Sequence, residues 1–232
     1  MLRGGTYNAD FGTELSLNGT RTAADSVLIA SYPAESAIFS QLNTYIGILC
    51  YDAFVVHDKI EVKDSTKTPA GAGAGILLWT NAVAKRCITH GQDFSTNNNV
   101  TGFYSTGGTM IDSCWSYNNL FSGVVSTEWN QTDYIFYGDA GSGESFIIDS
   151  VSGDLDDANA TVVGFKIKHA GVHKLHMHRS VAKYNKYTFM PSEDYASLND
   201  CIGLASKANN NLAGEGAGYI ENGMLLRNNT MI

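Results

Sequence analysis

Short hydrophobic segments that begin with glycine recur along the chain. Each places a hydrophobic residue directly after the glycine and a hydrophobic or small residue two positions later. The segments read GILCY, GILLW, GFYST, GVVST, GFKIK, GLASK and GMLLR, and their glycines are Gly47, Gly75, Gly102, Gly123, Gly164, Gly203 and Gly223. Successive glycines are 28, 27, 21, 41, 39 and 20 residues apart, and the two long steps are close to twice the short ones. This periodicity predicts a solenoid, in which each repeat packs only on its neighbours.

Further strand-like segments complete each repeat. ESFIIDS at Glu144–Ser150 and YTFMPS at Tyr187–Ser192 stand where the two long steps lack a glycine-led copy. A second strand follows each first one, as in KIEVKD from Lys59 and HKLHMHRSVAKYN from His173. Two or three short strands per turn of roughly 20–28 residues fit neither a propeller blade nor a leucine-rich repeat. The pattern therefore predicts an all-β fold, a solenoid of the parallel β-helix type.

The composition supports many short strands within a single domain. The chain has 232 residues, of which 24 are glycine and three are proline, and charged residues make up 16%. No stretch shows sustained helical periodicity, and so few charges are atypical of an array of surface helices. We expect residues 1–232 to form one β-helix domain, either as a whole chain or as a segment of a longer one.

Charge and hydropathy exclude two classes of partner. The formal net charge is −8, which argues against binding to nucleic acid. No apolar run is long enough to cross a membrane, so we expect no membrane partner. No secretion signal follows Met1.

Cysteine and histidine spacing gives no strong metal motif. The four cysteines are widely spaced and form no CxxC pair, which predicts free buried thiols rather than a zinc or redox site. They are Cys50, Cys87, Cys114 and Cys201. His176 and His178 share one strand face at a spacing that can bind a metal. Because no carboxylate or cysteine completes the set nearby, a surface histidine pair is favoured.

The alternation of side chains assigns two faces to each glycine-led strand. The position after the glycine is hydrophobic in every copy, so it faces the core. It holds Ile48, Ile76, Phe103, Val124, Phe165, Leu204 and Met224. The same alternation places Ile167 inside and turns Lys166 and Lys168 outward.

The outward positions change in character along the chain. The early copies carry Tyr51, Leu77, Trp79 and Tyr104, and the late copies carry Lys166, Lys168, Lys207 and Arg227. Aromatic side chains offer flat apolar surfaces for sugar rings, and basic side chains complement carboxylate or sulfate groups. The pattern predicts a binding surface for an acidic polysaccharide. The alternative is that the aromatics are good strand formers and the lysines discourage edge pairing.

A long excursion, STEWNQTDYIFYGDAGSGE, separates two glycine-led copies. It is rich in aromatics and carries Glu128, Trp129, Asp133 and Asp139. We expect it to form a wall of the binding surface, with Glu128 and Trp129 in contact with substrate. The alternative is an insertion that packs on itself.

Two segments carry a resemblance to a known family. IDSCWSYNN from Ile111 resembles the turns of right-handed parallel β-helix proteins of the pectate-lyase-like superfamily, and the opening LRGGTYN is similar to their first strand. The resemblance implies a right-handed helix and a carbohydrate-active protein, either a polysaccharide lyase or a phage tailspike. It also implies an extracellular or virion-associated location rather than a cytoplasmic one.

The resemblance further implies a chemistry and candidate catalytic residues. Lyases of this superfamily cleave uronic-acid chains by β-elimination, in which a lysine or arginine removes the proton next to a carboxylate. A lysine can act so when neighbouring cations lower its pKa. Lys168 beside Lys166, with His169 as proton donor, fits this need. Lys207 and Arg227 resemble the lysine and arginine pair on successive turns of the alginate-lyase and chondroitinase-B-like group.

Calcium chemistry is not supported by the same comparison. The calcium-dependent pectate lyases use an aspartate near an SYNN-like turn, where this chain has Trp115. The cluster Asp154, Asp156 and Asp157 is typical of a solvated turn. We therefore expect no cofactor.

Three functions stay open at the level of sequence. The first is a lyase acting on an acidic polysaccharide, and the second is a non-catalytic binding module, as in a tailspike or adhesin. The third is a structural spacer. Because β-helices expose apolar ends unless these are capped, end-to-end association and a homotrimer are further alternatives.

Overall fold

The computed structural model describes residues 1–8, 15–17, 22–40, 46–50, 54–63, 73–92, 100–119, 131–141, 143–153, 163–168, 175–185, 187–191, 196–205, 225–227 and 230–231. These residues are almost entirely β-strand, apart from turns and one short 3-10 helix at Ala23–Asp25. In chain order the strands are β1 (Gly5–Asn8), β2 (Leu15–Leu17), β3 (Val27–Ala30), β4 (Ala37–Ser40), β5 (Ile46–Cys50), β6 (Val55–Asp58), β7 (Ile60–Lys63), β8 (Gly73–Leu78), β9 (Val83–Lys85), β10 (Ile88–His90), β11 (Val100–Gly107), β12 (Met110–Asp112), β13 (Trp115–Tyr117), β14 (Gln131–Gly141), β15 (Ser145–Ile148), β16 (Val151–Ser152), β17 (Val163–Lys168), β18 (Leu175–His178), β19 (Val181–Asn185), β20 (Tyr187–Pro191), β21 (Ala196–Asn199), β22 (Ile202–Ala205), β23 (Leu225–Arg227) and β24 (Thr230–Met231).

The strands form three parallel sheets that run side by side along the molecule. The seven-stranded sheet has the order β2-β5-β8-β11-β14-β17-β20, and the eight-stranded sheet has the order β23-β21-β18-β15-β12-β9-β6-β3. The nine-stranded sheet has the order β1-β4-β7-β10-β13-β16-β19-β22-β24. Each strand pairs with its counterparts one turn before and one turn after. This architecture is a parallel β-helix, which confirms the predicted all-β fold.

The seven-stranded sheet contains four of the predicted glycine-led strands, β5, β8, β11 and β17. Ile48 pairs with Ile76 and Ile76 with Phe103, so the column after the glycine stacks in register as predicted. These side chains and that of Phe165 are at most 1% exposed. The YTFMPS segment forms β20 and pairs with β17, also as predicted.

The glycine at the head of these strands allows a close approach to the nine-stranded sheet. A Cβ atom at Gly102 would lie 2.0 Å from the Ser116 Oγ and 2.4 Å from the Thr89 Oγ1. No side chain fits such a gap, so the interior at this corner of the helix is filled by polar atoms of the neighbouring sheet.

The predicted repeat is wrong between Gly102 and Gly164. The strand stacked on β11 is β14, from the segment expected to be an excursion, and Phe103 pairs with Tyr134. Gly123 lies outside the described residues. The turns from Ile76 to Phe103, Tyr134, Phe165 and Phe189 are 27, 31, 31 and 24 residues long, so the spacing is less regular than expected. The segment at Glu144–Ser150 contains β15, which belongs to the eight-stranded sheet.

The last two glycine-led segments do not stack on the others. Gly203 lies in β22 of the nine-stranded sheet, and Arg227 ends β23 of the eight-stranded sheet, where it pairs with Asn199. The prediction that Arg227 continues the outward columns of the glycine-led strands is therefore wrong. A leading glycine therefore does not mark one particular sheet.

A tight corner of one or two residues joins the eight-stranded sheet to the nine-stranded sheet in successive turns. The first residue of the corner has a positive φ between 48° and 56°, and from Lys59 to Arg179 its backbone N–H donates to a carbonyl of the next turn. These residues are Lys59, Arg86, Ser113, Asp149, Arg179 and Asp200. The residue after this positive-φ position is small and buried from Arg86 on, in the row Cys87, Cys114, Ser150, Ser180 and Cys201. The three cysteines of this row are free thiols, as predicted.

The core is a continuous stack between the three sheets. Its inner column on the seven-stranded sheet includes a ladder of stacked rings, with centroids 5.0, 4.6 and 5.3 Å apart along Phe103, Tyr134, Phe165 and Phe189. The Tyr134 hydroxyl donates to the Val151 carbonyl oxygen at 2.9 Å. Like side chains in equivalent positions therefore fix the register of successive turns.

Candidate functional site

The outward face of the seven-stranded sheet carries two neighbouring columns. Register pairs Leu77 with Tyr104, Tyr104 with Ile135, and Ile135 with Lys166. The second column pairs Thr106 with Tyr137 and Tyr137 with Lys168. Apolar, aromatic and basic residues thus follow one another along the helix axis, on the face where the sequence predicts the binding surface.

Two tyrosines form the centre of this face. The rings of Tyr104 and Tyr137 are stacked, with centroids 5.3 Å apart and planes 13° from parallel, and both side chains are half-buried. Stacking covers one face of each ring with the other ring. A sugar ring would therefore meet this pair at an outer ring face or at the ring edges, where the hydroxyl groups can form hydrogen bonds.

The apolar end of the face is more closed than the sequence suggests. Leu77 is 8% exposed and Ile135 is 7% exposed, although both occupy outward positions. Trp79 and Tyr104 are half-buried and pack against Ala74 and Leu77. These aromatics therefore cover an apolar patch of the sheet as well as facing solvent, which is a structural role that the alternation of the sequence does not reveal.

The basic end of the face begins one turn after the tyrosines. Lys166 is half-buried and pairs in register with Ile135 on one side and Met190 on the other. Lys168 lies two residues further along the same strand, opposite Tyr137. Successive strands lie about 4.8 Å apart, so Lys166 and the tyrosine pair are within reach of one ligand.

The predicted site residues are only partly brought together. Trp79, Tyr104 and Lys166 lie on this face, and Lys168 occupies the expected position in its strand. Arg227 belongs to another sheet. The other predicted site residues, Tyr51, Glu128, Trp129, His169 and Lys207, lie outside the described residues.

Sequence reasoning missed Tyr137 and Ile135. Both lie in β14, within the segment TDYIFYG, where hydrophobic residues form a run typical of a buried strand. The absence of a leading glycine concealed this strand. At the corresponding position stands Asp133, whose side chain is fully buried and not part of a groove wall.

The strand β14 also contains an irregularity beside the tyrosines. Thr106 pairs with Tyr137, whereas Gly107 pairs with Gly141, so residues 138–140 are extra on one side of the ladder. A bulge of this kind bends a strand and re-aims the side chains beside it. Asp139 falls within these residues.

The described residues offer no ready metal site or membrane span. No group of three or more histidine, cysteine, aspartate or glutamate side chains within them has the geometry to hold a metal ion. His176, one of the predicted surface pair, instead stacks on Phe146 at 5.2 Å and lies 2.9 Å from the Ser197 Oγ. No helix in this part of the chain has the length and hydropathy to cross a membrane.

Comparison with known proteins gives a likeness at the level of the fold. No family model matches the chain, and no curated protein matches it. Among solved structures, the chain is similar to pectate lyase Pel9A at 15% identity, with a TM-score of 0.44. The match covers 99% of this chain and 67% of the other.

Proposed function

We propose that the chain binds an acidic polysaccharide along the outward face of the seven-stranded sheet. The observation that supports this is the succession of Tyr104, Tyr137 and Lys166 on adjacent turns of one face. A linear sugar chain aligned with the helix axis would meet the tyrosines first and the lysines next. Its carboxylates would pair with the lysines, and its sugar rings would lie against the tyrosines.

Cleavage of that polysaccharide by β-elimination is the chemistry we propose for this surface. Lys168 would remove the proton on the carbon next to a uronate carboxylate, while Lys166 neutralises the carboxylate. The electron pair of the broken C–H bond forms a carbon–carbon double bond, and the C–O bond to the leaving sugar breaks. The leaving oxygen takes a proton, for which His169 is the proposed donor. The position of Lys168 two residues after Lys166 favours this assignment, because alternate residues of a strand share a face.

Binding is tested by titration of hexasaccharides of galacturonate, alginate and chondroitin sulfate in a calorimeter. Lys166→Gln and Tyr104→Ala should each weaken binding about three- to tenfold, through a lost ion pair and a lost ring contact. Lys85→Gln, on the outward face of the eight-stranded sheet, is the matched control and should leave affinity unchanged. Equal affinities in all variants would contradict the proposed surface.

Cleavage is tested by the ultraviolet absorbance of the unsaturated product. Product that appears with the wild-type chain and disappears with Lys168→Ala supports β-elimination. Tight binding without product in any of the three polysaccharides would leave a recognition module as the function and exclude the lyase for these substrates. The absence of both binding and product would favour a structural spacer.

A further inference from the structure

The nine-stranded sheet has its own outward columns, distinct from the proposed surface. One column pairs Glu61 with Ile88, Ile88 with Trp115, and Trp115 with Val151. The second pairs His90 with Tyr117. Within these columns the aromatic residues fall on two adjacent turns and form one cluster.

The aromatic cluster is organised by specific contacts. The rings of His90 and Tyr117 are stacked at 4.7 Å and lie 3° from parallel. Trp115 lies 4.7 Å from Tyr117 with its plane tilted by 39°. The Glu61 Oε1 lies 3.1 Å from the His90 Nε2 and fixes the imidazole from the side of the preceding turn. A carboxylate, an imidazole and two larger aromatic rings thus stand together on one outward face.

The tryptophan extends over the next turn of the helix. The Trp115 Nε1 donates to the Gly153 carbonyl oxygen at 2.8 Å. Gly153 has a φ of +92° and a Cβ atom there would lie 1.8 Å from the Lys183 carbonyl oxygen, so this position excludes every other residue. Because Gly153 carries no side chain, the indole has room to lie across this turn.

A cation borders the indole. The Lys183 Nζ lies over the Trp115 ring, 5.8 Å from its centroid. Among the described residues, no carboxylate lies within ion-pair distance of the Lys183 ammonium to balance its charge. An aromatic surface beside an unbalanced cation is complementary to a sugar that carries an anionic group.

The cluster continues into a cleft on its other side. The cleft has a volume of about 360 Å³, and its lining includes Glu35, Lys59, Glu61, Arg86 and Ile88, of which Arg86 is paired with Asp58. This volume lies in the range of small-molecule sites. A chain of two or more sugars can therefore extend from Trp115 towards the ammonium group of Lys59.

We propose that Trp115, Tyr117, His90 and Lys183 form a second saccharide site, which takes an anionic sugar unit on the outward face of the nine-stranded sheet. The sugar ring packs on the indole, its anionic group pairs with Lys183, and its hydroxyl groups bond to Glu61 and His90. A peptide added as a strand is disfavoured, because β13 already pairs with β10 and β16 on both sides. The ligand class is that of the proposed function, but the site does not require the first surface to act.

The test uses the full chain with Tyr104→Ala and Lys166→Gln in place, so that the first surface is weakened. The probes are the hexasaccharides of galacturonate, alginate and chondroitin sulfate, together with methyl-esterified galacturonate and polyglutamate. In this background Trp115→Ala should weaken binding of the charged hexasaccharides about tenfold. Lys183→Gln should weaken it about threefold and leave binding of the methyl ester unchanged.

Two further variants guard against a loss of folding. Trp115→Phe keeps an aromatic ring without the indole N–H and should give an intermediate affinity, and Lys85→Gln should have no effect. Thermal unfolding of each variant by circular dichroism shows whether the β-helix is intact, and Lys183→Gln alone decides the outcome if Trp115→Ala does not fold.

Three results would overturn the second site. They are no binding of any hexasaccharide in the background variant, equal binding with and without Trp115 and Lys183, or binding of polyglutamate alone. Each leaves the proposed function standing if the wild-type chain binds through Tyr104 and Lys166. Conversely, binding that keeps its wild-type affinity and stoichiometry with Tyr104→Ala and Lys166→Gln in place, and that requires Trp115, would contradict the first surface and support the second.

Discussion

Asp133 and His57 are both completely buried, but they differ in hydrogen bonding. The Asp133 carboxyl group accepts several hydrogen bonds, whereas the His57 ring makes none within the described residues. Asp133 projects from the seven-stranded sheet into a polar corner beside the nine-stranded sheet. Its Oδ1 accepts from Asn119 at 2.8 Å, and its Oδ2 accepts from the Ser152 hydroxyl at 2.5 Å and from the Gly153 N–H at 3.1 Å. Asn185 adds a longer bond at 3.3 Å.

His57 lies in the apolar part of the interior. In the inward column of the eight-stranded sheet it stands between Ile29 and Ala84, and neither ring nitrogen has a hydrogen-bond partner among the described residues. Burial lowers the pKa of His57 from 6.5 to about 4, so the imidazole is neutral near pH 7. The difference shows that a buried carboxylate here is accommodated by donors, whereas a buried imidazole is accommodated by losing its proton.

The largest expected effect comes from removing the carboxylate. Asp133→Ala removes the acceptor that Asn119, Ser152 and Gly153 share and leaves a cavity in the buried polar corner, where each donor keeps one weaker-placed alternative on Ser116 or Asn185. We expect a loss of about 4 kcal/mol in the free energy of unfolding, measured by urea denaturation. Asp200→Asn at an exposed corner is the control, because asparagine tolerates the positive φ of this position, and it should cost less than about 0.5 kcal/mol. A loss for Asp133→Ala as small as that of the control would show that the polar corner does not hold the turns together.

Acidification gives the next effect. The pKa of His57 is lower in the folded chain than in the unfolded chain, so its contribution to stability is fully present above pH 6.5. The unfolded chain binds the extra proton as the pH falls, and this contribution is lost between pH 6.5 and about 4. The loss amounts to about 3 kcal/mol.

The histidine effect is isolated by comparing two variants. His57→Leu should flatten this part of the pH dependence of unfolding, whereas His178→Gln, on the outward face of the same sheet, should leave it as in the wild type. An unchanged slope between pH 6.5 and 4 in His57→Leu would contradict the assignment.

A small effect is expected in the cysteine and serine row. Cys87 donates its backbone N–H to the Cys114 sulfur at 3.4 Å, and Cys114 donates likewise to the Ser150 hydroxyl at 3.3 Å. Burial raises the pKa of the Cys114 thiol, so it is protonated. Since serine already serves at Ser150, Cys114→Ser should cost about 1 kcal/mol or less.

The matched variant for this row is Cys114→Leu, which adds volume to a packed interior and should cost about 2 kcal/mol. Thermal unfolding ranks the two variants. A larger cost for Cys114→Ser than for Cys114→Leu would mean that this position requires the thiol group and not a small side chain.

The smallest effect is expected at the exposed corner pairs. Arg179 donates to Asp149 through two hydrogen bonds of 2.6 and 2.8 Å, and the bond lowers the pKa of Asp149. Both side chains are largely exposed, at 59% and 43%. Arg179→Ala should therefore cost less than about 1 kcal/mol, and high salt should reduce the difference. A larger cost would mean that these ion pairs contribute to the free energy of unfolding on the scale of the polar corner around Asp133.

The sequence predicts the fold well where the residue pattern and the packing requirement coincide. In β5, β8, β11 and β17 the glycine marks a crowded corner and the next residue faces the core. The pattern fails at β14, because Asp133 fills the glycine position and turns the crowded corner into a polar network. The spacing of glycines cannot reveal this, since the partners of Asp133 come from three successive turns, its own and the two beside it.

The candidate site was predicted to a similar extent. Period-2 alternation places Tyr104 and Lys166 on one face, and register confirms that the columns of these residues run together. Alternation alone assigns no sheet, so Arg227 was placed on the wrong one. Tyr137 and the Trp115 cluster depend on contacts between turns that are 20 or more residues apart in the sequence.

A crystal structure with a bound acidic hexasaccharide would test the central claim most directly. Our account predicts a sugar chain along the helix axis, in contact with Tyr104, Tyr137 and Lys166 on the outward face of the seven-stranded sheet. Electron density for the sugar on another face alone, with the tyrosine pair uncovered, would contradict it.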